Sequence, residues 1–137
     1  MIRHDDWPTA LSNKIEERRW QPFELGTNDC FLFMCDCWLA MTGVDLAQGR
    51  RGYRGVMGAR RIRRGKSFRQ NWYGIWAKFG LESRPMWSAG RGDIILFKNH
   101  KNRYTLGIMA LDGKNVLCPG ELMLLGVPRN INMEAWH

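Results

Sequence analysis

Apolar positions change their spacing once along this chain, near Pro85, and the change separates a helical half from a strand half. After Trp7-Pro8-Thr9, Leu11 and Ile15 lie four apart among Lys14, Glu16, Glu17 and Arg18. That is the stripe of an amphipathic helix, which Pro22 brings to a stop. From Cys30 the residues are apolar almost all round as far as Thr42-Gly43, predicting a central buried helix with Gly43 just past its end. Residues 23–29 form a turn before it, with Asn28 or Thr27 as the expected N-cap. Phe68, Trp72, Ile75, Trp76 and Phe79 recur at spacings of three and four, a further short helix ended by Gly80. Beyond Pro85, residues 93–97, 104–111, 116–118 and 122–127 are short β-type runs. Turn signals at residues 98–103, Asp112-Gly113 and Pro119-Gly120 separate them. N-terminal helices, one of them central and buried, packed on a C-terminal antiparallel β-meander make an α+β domain. A length of 137 residues, 45% of them hydrophobic, fits one domain over residues 1–137.

Charge adds what hydropathy does not show. Of 21 basic residues, those from Arg50 to Lys78 fall in a stretch, between Asp45 and Glu82, that has no acidic residue. Positive charge is therefore concentrated in one connecting segment. Gly49, Gly52, Gly55, Gly58 and Gly65 punctuate it, so a loop-rich insertion at about residues 46–68 is expected, with one helical patch near 56–62. Such a field favours an anionic partner, and Arg51, Tyr53, Arg60, Arg61, Arg63 and Arg64 are the candidate contact residues. Nucleic acid is one such partner, because Tyr53, Phe68, Trp72 and Tyr73 could stack on bases. Their helical spacing suits a core equally well, and a solvated face accounts for the arginines without any partner.

No apolar run approaches the ~18 residues of a membrane span, and none at the N-terminus has signal length, so a soluble protein made in a cytoplasm is expected. Cys30, Cys35, Cys37 and Cys118 are then reduced thiols. On a helix Cys30 and Cys37 stand about 10 Å apart with Cys35 turned ~140° from Cys30. There is no C-x-x-C pair either, so neither a metal nor another cofactor is expected. Cys30, Phe33, Met34, Cys37, Trp38 and Met41 follow the stripe of a buried face, which by itself reads Cys30 as a small core residue.

Asn28-Asp29-Cys30 opening an apolar helix, followed by Arg91-Gly92-Asp93-Ile94-Ile95-Leu96-Phe97 and Leu106-Gly107-Ile108, resembles the core pattern of NlpC-type cell-wall cysteine peptidases. More closely it resembles an uncharacterised group of such domains encoded in phage and prophage tail modules. The shared features include Arg19-Trp20-Gln21-Pro22-Phe23, Met41-Thr42-Gly43-Val44-Asp45, Arg51-Gly52-Tyr53, Gly58-Ala59 and Ala135-Trp136. The resemblance implies a papain-like fold with Cys30 at the nucleophile position. It sets Thr105 at the family's histidine position and Leu117 near its third polar position.

A catalytic thiol needs its pKa lowered, commonly by a helix N-terminus and an imidazolium. The helix N-terminus is expected at Cys30, with Asp29 working mildly against it. Threonine cannot accept a proton near neutral pH, and leucine cannot orient a base. His100, in the turn five residues before Thr105, is the alternative base, while His4 and His137 lie near the chain ends. The implied function is a structural or assembly protein of a phage tail tip or baseplate, on a degenerate scaffold. It would sit in the virion tail after assembly in the bacterial host cytoplasm, with other tail and baseplate proteins as partners. The alternatives are a peptidoglycan cysteine hydrolase acting during DNA delivery and a nucleic-acid-binding module. Arg91-Gly92-Asp93 also spells an adhesion tripeptide, but its Gly-Asp reads better as the start of a strand.

Overall fold

A computed structural model describes residues 2–137. Among them, four α-helices precede a six-stranded antiparallel sheet. The helices are α1 (Trp7–Arg18), α2 (Cys30–Thr42), α3 (Gly55–Ile62) and α4 (Phe68–Phe79). The strands are β1 (Ser83–Arg84), β2 (Ile94–Lys98), β3 (Tyr104–Met109), β4 (Asn115–Pro119), β5 (Leu124–Pro128) and β6 (Glu134–Trp136). The α+β class read from hydropathy holds. The sheet is more than a meander, however, because its order is β1-β6-β2-β3-β4-β5. Strands β2 to β5 follow one another, then β6 returns across the sheet to pair with β2 and with β1.

Local chemistry explains the helix ends. Gly43 closes α2 at φ 77° and Gly80 closes α4 at φ 66°, left-handed conformations that glycine adopts without a Cβ penalty. Ser67 starts α4 with a capping box: its side chain accepts from the Gln70 N–H, and the Gln70 side chain accepts from the Ser67 N–H. Helix α2 is apolar all round because α1 covers one side of it and β3 and β4 the other. Among the described residues no helix is long and apolar enough to cross a membrane.

Alternation along the strands divides the core in two. Ile94, Leu96, Leu106, Ile108 and Trp136 face the helices and pack with Leu11, Phe33, Trp38, Met41, Trp72 and Ile75. Ile95, Phe97, Met109, Val116, Cys118 and Ala135 face the other way and are covered by Met86, Ala89 and Met133. The edge at β5 is blunted. Its Leu124 N–H is taken by the Arg19 carbonyl at 2.9 Å, and Pro128 has no N–H to offer.

Gly107 leaves no room for a side chain against β4. A Cβ there would lie 2.6 Å from the Leu117 carbonyl oxygen and 2.7 Å from Val116 Cγ1. Because the first obstacle is backbone, Gly107→Ala is expected to cost about 1–3 kcal/mol through overpacking. Urea unfolding measures this, and a neutral substitution would contradict the contact.

Candidate functional site at the start of the central helix

The turn before α2 is built by two buried polar side chains. Asp29, not Asn28 or Thr27, is the N-cap: its Oδ1 accepts from the Leu32 N–H at 2.9 Å. Its Oδ2 accepts from the Gly26 N–H at 2.9 Å and from the Tyr53 hydroxyl at short range. Asn28 does a different job. Its amide donates to the Gln21 and Pro22 carbonyls and accepts from Arg18, which ties the α1–α2 connection to the helix start. Thr27 and Asn28, the expected caps, and Asp29 are all residue types that can cap; the structure uses Asp29, whose carboxylate also reaches Gly26 and Tyr53.

Cys30 is the first residue of α2 and is half-buried. Burial pushes the thiol up to about 12. The backbone N–H groups of Leu106 and Phe31 pull the other way, and the nearby Asp29 and Cys118 add to the rise. The Leu106 donor is available for a reason of topology. The Met109 N–H bonds the Asp93 carbonyl on the β2 side and the Ala110 N–H bonds the Asn115 carbonyl on the β4 side. With a period of two, the Leu106 N–H also points toward β4. Pairing of β3 with β4 extends only over Ile108 and Met109, so the buried Leu106 amide has no partner on β4 and meets the sulfur of Cys30.

Thr105 therefore lies one residue from the amide that touches the sulfur. Its own side chain belongs to the opposite sheet face, where the hydroxyl donates to the Arg103 carbonyl at 3.4 Å. Leu117 pairs with Ile108 and packs on the helix-facing core. His100 is exposed in the turn between β2 and β3. His4 lies against Gly43 at the far end of α2, about 18 Å of helical rise from Cys30. His137 faces Glu82 at 3.6 Å. No imidazole is among the groups acting on the Cys30 thiol.

The basic segment splits into two parts. Arg51 and Tyr53, expected at a docking surface, are tied inward. Arg51 donates to Asp36 on α2 at 2.8 Å and to both carboxylate oxygens of Asp45, at 2.9 and 3.0 Å. That network holds Asp45 below the usual carboxylate range, the Arg51 hydrogen bonds being the main cause. Tyr53 folds over the α2 start, and burial first, then its bond to Asp29, keeps its phenol above the ordinary value. Arg63 has a buried Nε without a hydrogen-bond partner. Helix α3 buries no residue at all, and it turns Val56, Met57, Arg60 and Arg61 outward, with Arg64 exposed just after it. Neither Arg60, Arg61 nor Arg64 forms an ion pair among the described residues.

Sequence reasoning missed the Asp29–Tyr53 bond and the Leu106 amide. The first joins residues 24 apart in the chain, and the second is a backbone group without a side-chain signature. In Arg91-Gly92-Asp93 the aspartate is only 1% exposed and bonded to Arg3, which removes it from any adhesive role. No group of three or more His, Cys, Asp or Glu among the described residues is arranged to hold a metal ion.

Fold and site together define an α+β domain whose central helix begins with a half-buried cysteine beside a tyrosine-bearing strap. The chain belongs to the family described as "Domain of unknown function (DUF6950)", whose model matches residues 2–137. No curated protein matches it.

Proposed function

We propose that this domain is a non-catalytic structural or assembly module of a phage tail tip or baseplate, on a papain-like, NlpC-type scaffold whose catalytic site has degenerated. The observation that carries the loss of catalysis is positional: Thr105 and Leu117 stand at the expected base and orienter positions, and His4, His100 and His137 lie at the far end of α2, in an exposed turn and beside Glu82, while burial pushes the Cys30 thiol up to about 12. At neutral pH such a sulfur stays protonated, and the thiol is not the nucleophile. A cysteine opening the central helix, packed on an antiparallel sheet whose strand β2 follows directly on Gly92-Asp93, supports the scaffold reading. The tail assignment rests on the motifs from Arg19 to Phe23, Asn28 to Cys30 and Arg51 to Tyr53. In this reading, Arg51 and Tyr53 hold the basic segment in place, while Val56, Met57, Arg60, Arg61 and Arg64 form its docking face for acidic neighbours.

Two measurements test this. Cys30 is expected to react with iodoacetamide at pH 7.5 at least about tenfold more slowly than free cysteine. Purified protein is expected to release no more muropeptide from sacculi than Cys30→Ala does; activity that the substitution abolishes would restore the hydrolase. Stoichiometric co-purification with tail proteins, weakened by Arg60→Ala and Arg61→Ala together, supports the docking face. Steeply salt-dependent binding to duplex DNA with no tail partner would favour nucleic acid instead.

A further inference from the structure

Three arginines from separate parts of the chain meet in an open pocket at the end of α2 remote from Cys30. Arg3 precedes α1, Arg84 is on β1 and Arg91 is in the turn before β2; with Trp7, Gly90 and Asp93 they line a cavity of about 460 Å³. The turn is pressed onto the helices, since a Cβ at Gly92 would lie 2.9 Å from the Trp7 ring and 3.0 Å from Met41 Sδ.

Charge in the pocket is unbalanced. Asp93 is its single carboxylate lining residue, 1% exposed, accepting from Arg3 at 2.9 Å and from the Gly90 N–H at 2.9 Å, with Arg84 at 3.4 Å. Arg91 forms no ion pair among the described residues. Its guanidinium lies 5.6 Å from the centre of the Trp7 ring, and that of Arg3 lies 4.5 Å from the same centre. Arg3 also donates to the Arg91 carbonyl at 3.0 Å, and Arg84 to the Ser88 carbonyl at 3.2 Å. The guanidinium groups are thus held before any ligand arrives, which lowers the ordering cost of binding. His137 completes the wall, its imidazole turned toward Glu82.

Among the lining side chains, three arginines stand against one carboxylate, an excess close to the charge of a phosphate monoester near neutral pH. The geometry points to this pocket as a binding site for a phosphate monoester, its oxygens accepting from arginines on three sides and its organic group filling the remaining volume beside Trp7. Guanidinium forks match phosphate oxygens in both geometry and charge. The inference does not depend on the reading of Cys30.

The test is a titration of the whole chain with inorganic phosphate and with O-phosphoserine, following the Trp7 indole and arginine Nε signals in 1H–15N spectra. Saturable binding with a dissociation constant below about 1 mM is expected, weakened at least about tenfold in Arg91→Ala and Arg91→Gln. Arg91 is exposed, so both variants should fold, and unchanged spectra away from the pocket check this. Binding that survives Arg91→Ala but is lost when Arg60 and Arg61 become alanine would move the anion to α3 and overturn the proposal. Succinate binding as tightly as phosphate would overturn the ligand class, and no saturation up to roughly 20 mM would overturn the site.

Discussion

Asp29→Ala is expected to destabilise the protein by about 2–4 kcal/mol, read from urea unfolding at neutral pH. The substitution removes the acceptor for three donors at once: the Leu32 N–H of the first helical turn, the Gly26 N–H and the Tyr53 hydroxyl. Losing a helix cap alone costs about 1 kcal/mol, and a buried donor left unsatisfied adds about 1–3 kcal/mol. The Leu32 amide is buried and has no water to turn to, whereas Tyr53 is partly exposed and can recover. Tyr53→Phe should therefore cost only about 1 kcal/mol, since the carboxylate keeps both amide donors. A double-mutant cycle of the two positions should show a coupling of at least about 0.5 kcal/mol. Strictly additive effects would mean that the strap and the helix start are independent.

Stability should also fall steeply above pH 9, through the four thiols. In the unfolded chain they ionise near their ordinary value of ~8.5. In the folded protein burial pushes Cys30 up to about 12 and Cys118 up to about 11, and raises Cys35 and Cys37 as well. Between those limits the unfolded state releases protons that the folded state keeps. The thiol contribution is thus fully present below pH ~8.5 and is lost as pH climbs toward the folded values. Each thiol contributes a loss of about 1.4 kcal/mol per pH unit, so at pH 10, about 1.5 units above the unfolded value, the four together approach about 8 kcal/mol. That is comparable to a typical whole domain stability of about 5–15 kcal/mol. Unfolding midpoints measured from pH 7 to 10.5 under reducing conditions should show the decline, and Cys37→Ala should flatten it. A midpoint constant from pH 8 to 10 would mean that these sulfurs are already ionised when folded.

How much of this could be read from the sequence differs by element. Helix α2 was plain because its apolar run and Gly43 are local signals, and Phe68–Phe79 was plain for the same reason. The N-cap was misplaced by one or two residues, since Thr27, Asn28 and Asp29 are all good caps and only tertiary contacts choose among them. Strands β1 and β6 were missed because Ser83-Arg84 and Glu134-Ala135-Trp136 are too short to carry a period; their pairing is specified by each other and by β2. At the site, the position of Cys30 at the helix start was legible. The inward turn of Arg51 was not: charge counting cannot tell an arginine aimed at solvent from one aimed at Asp36, 15 residues back.

The manner in which β5 ends bears on how copies of this protein can gather. With Leu124 already bonded to Arg19 and Pro128 lacking a donor, Gly126 is the one outward amide left along that margin. The opposite margin, β1, spans two residues and is followed at once by Pro85. Neither border can template another strand over any length, so fibrillar stacking is disfavoured even at high local concentration. Contacts between molecules are left to side chains, where specificity can be written residue by residue.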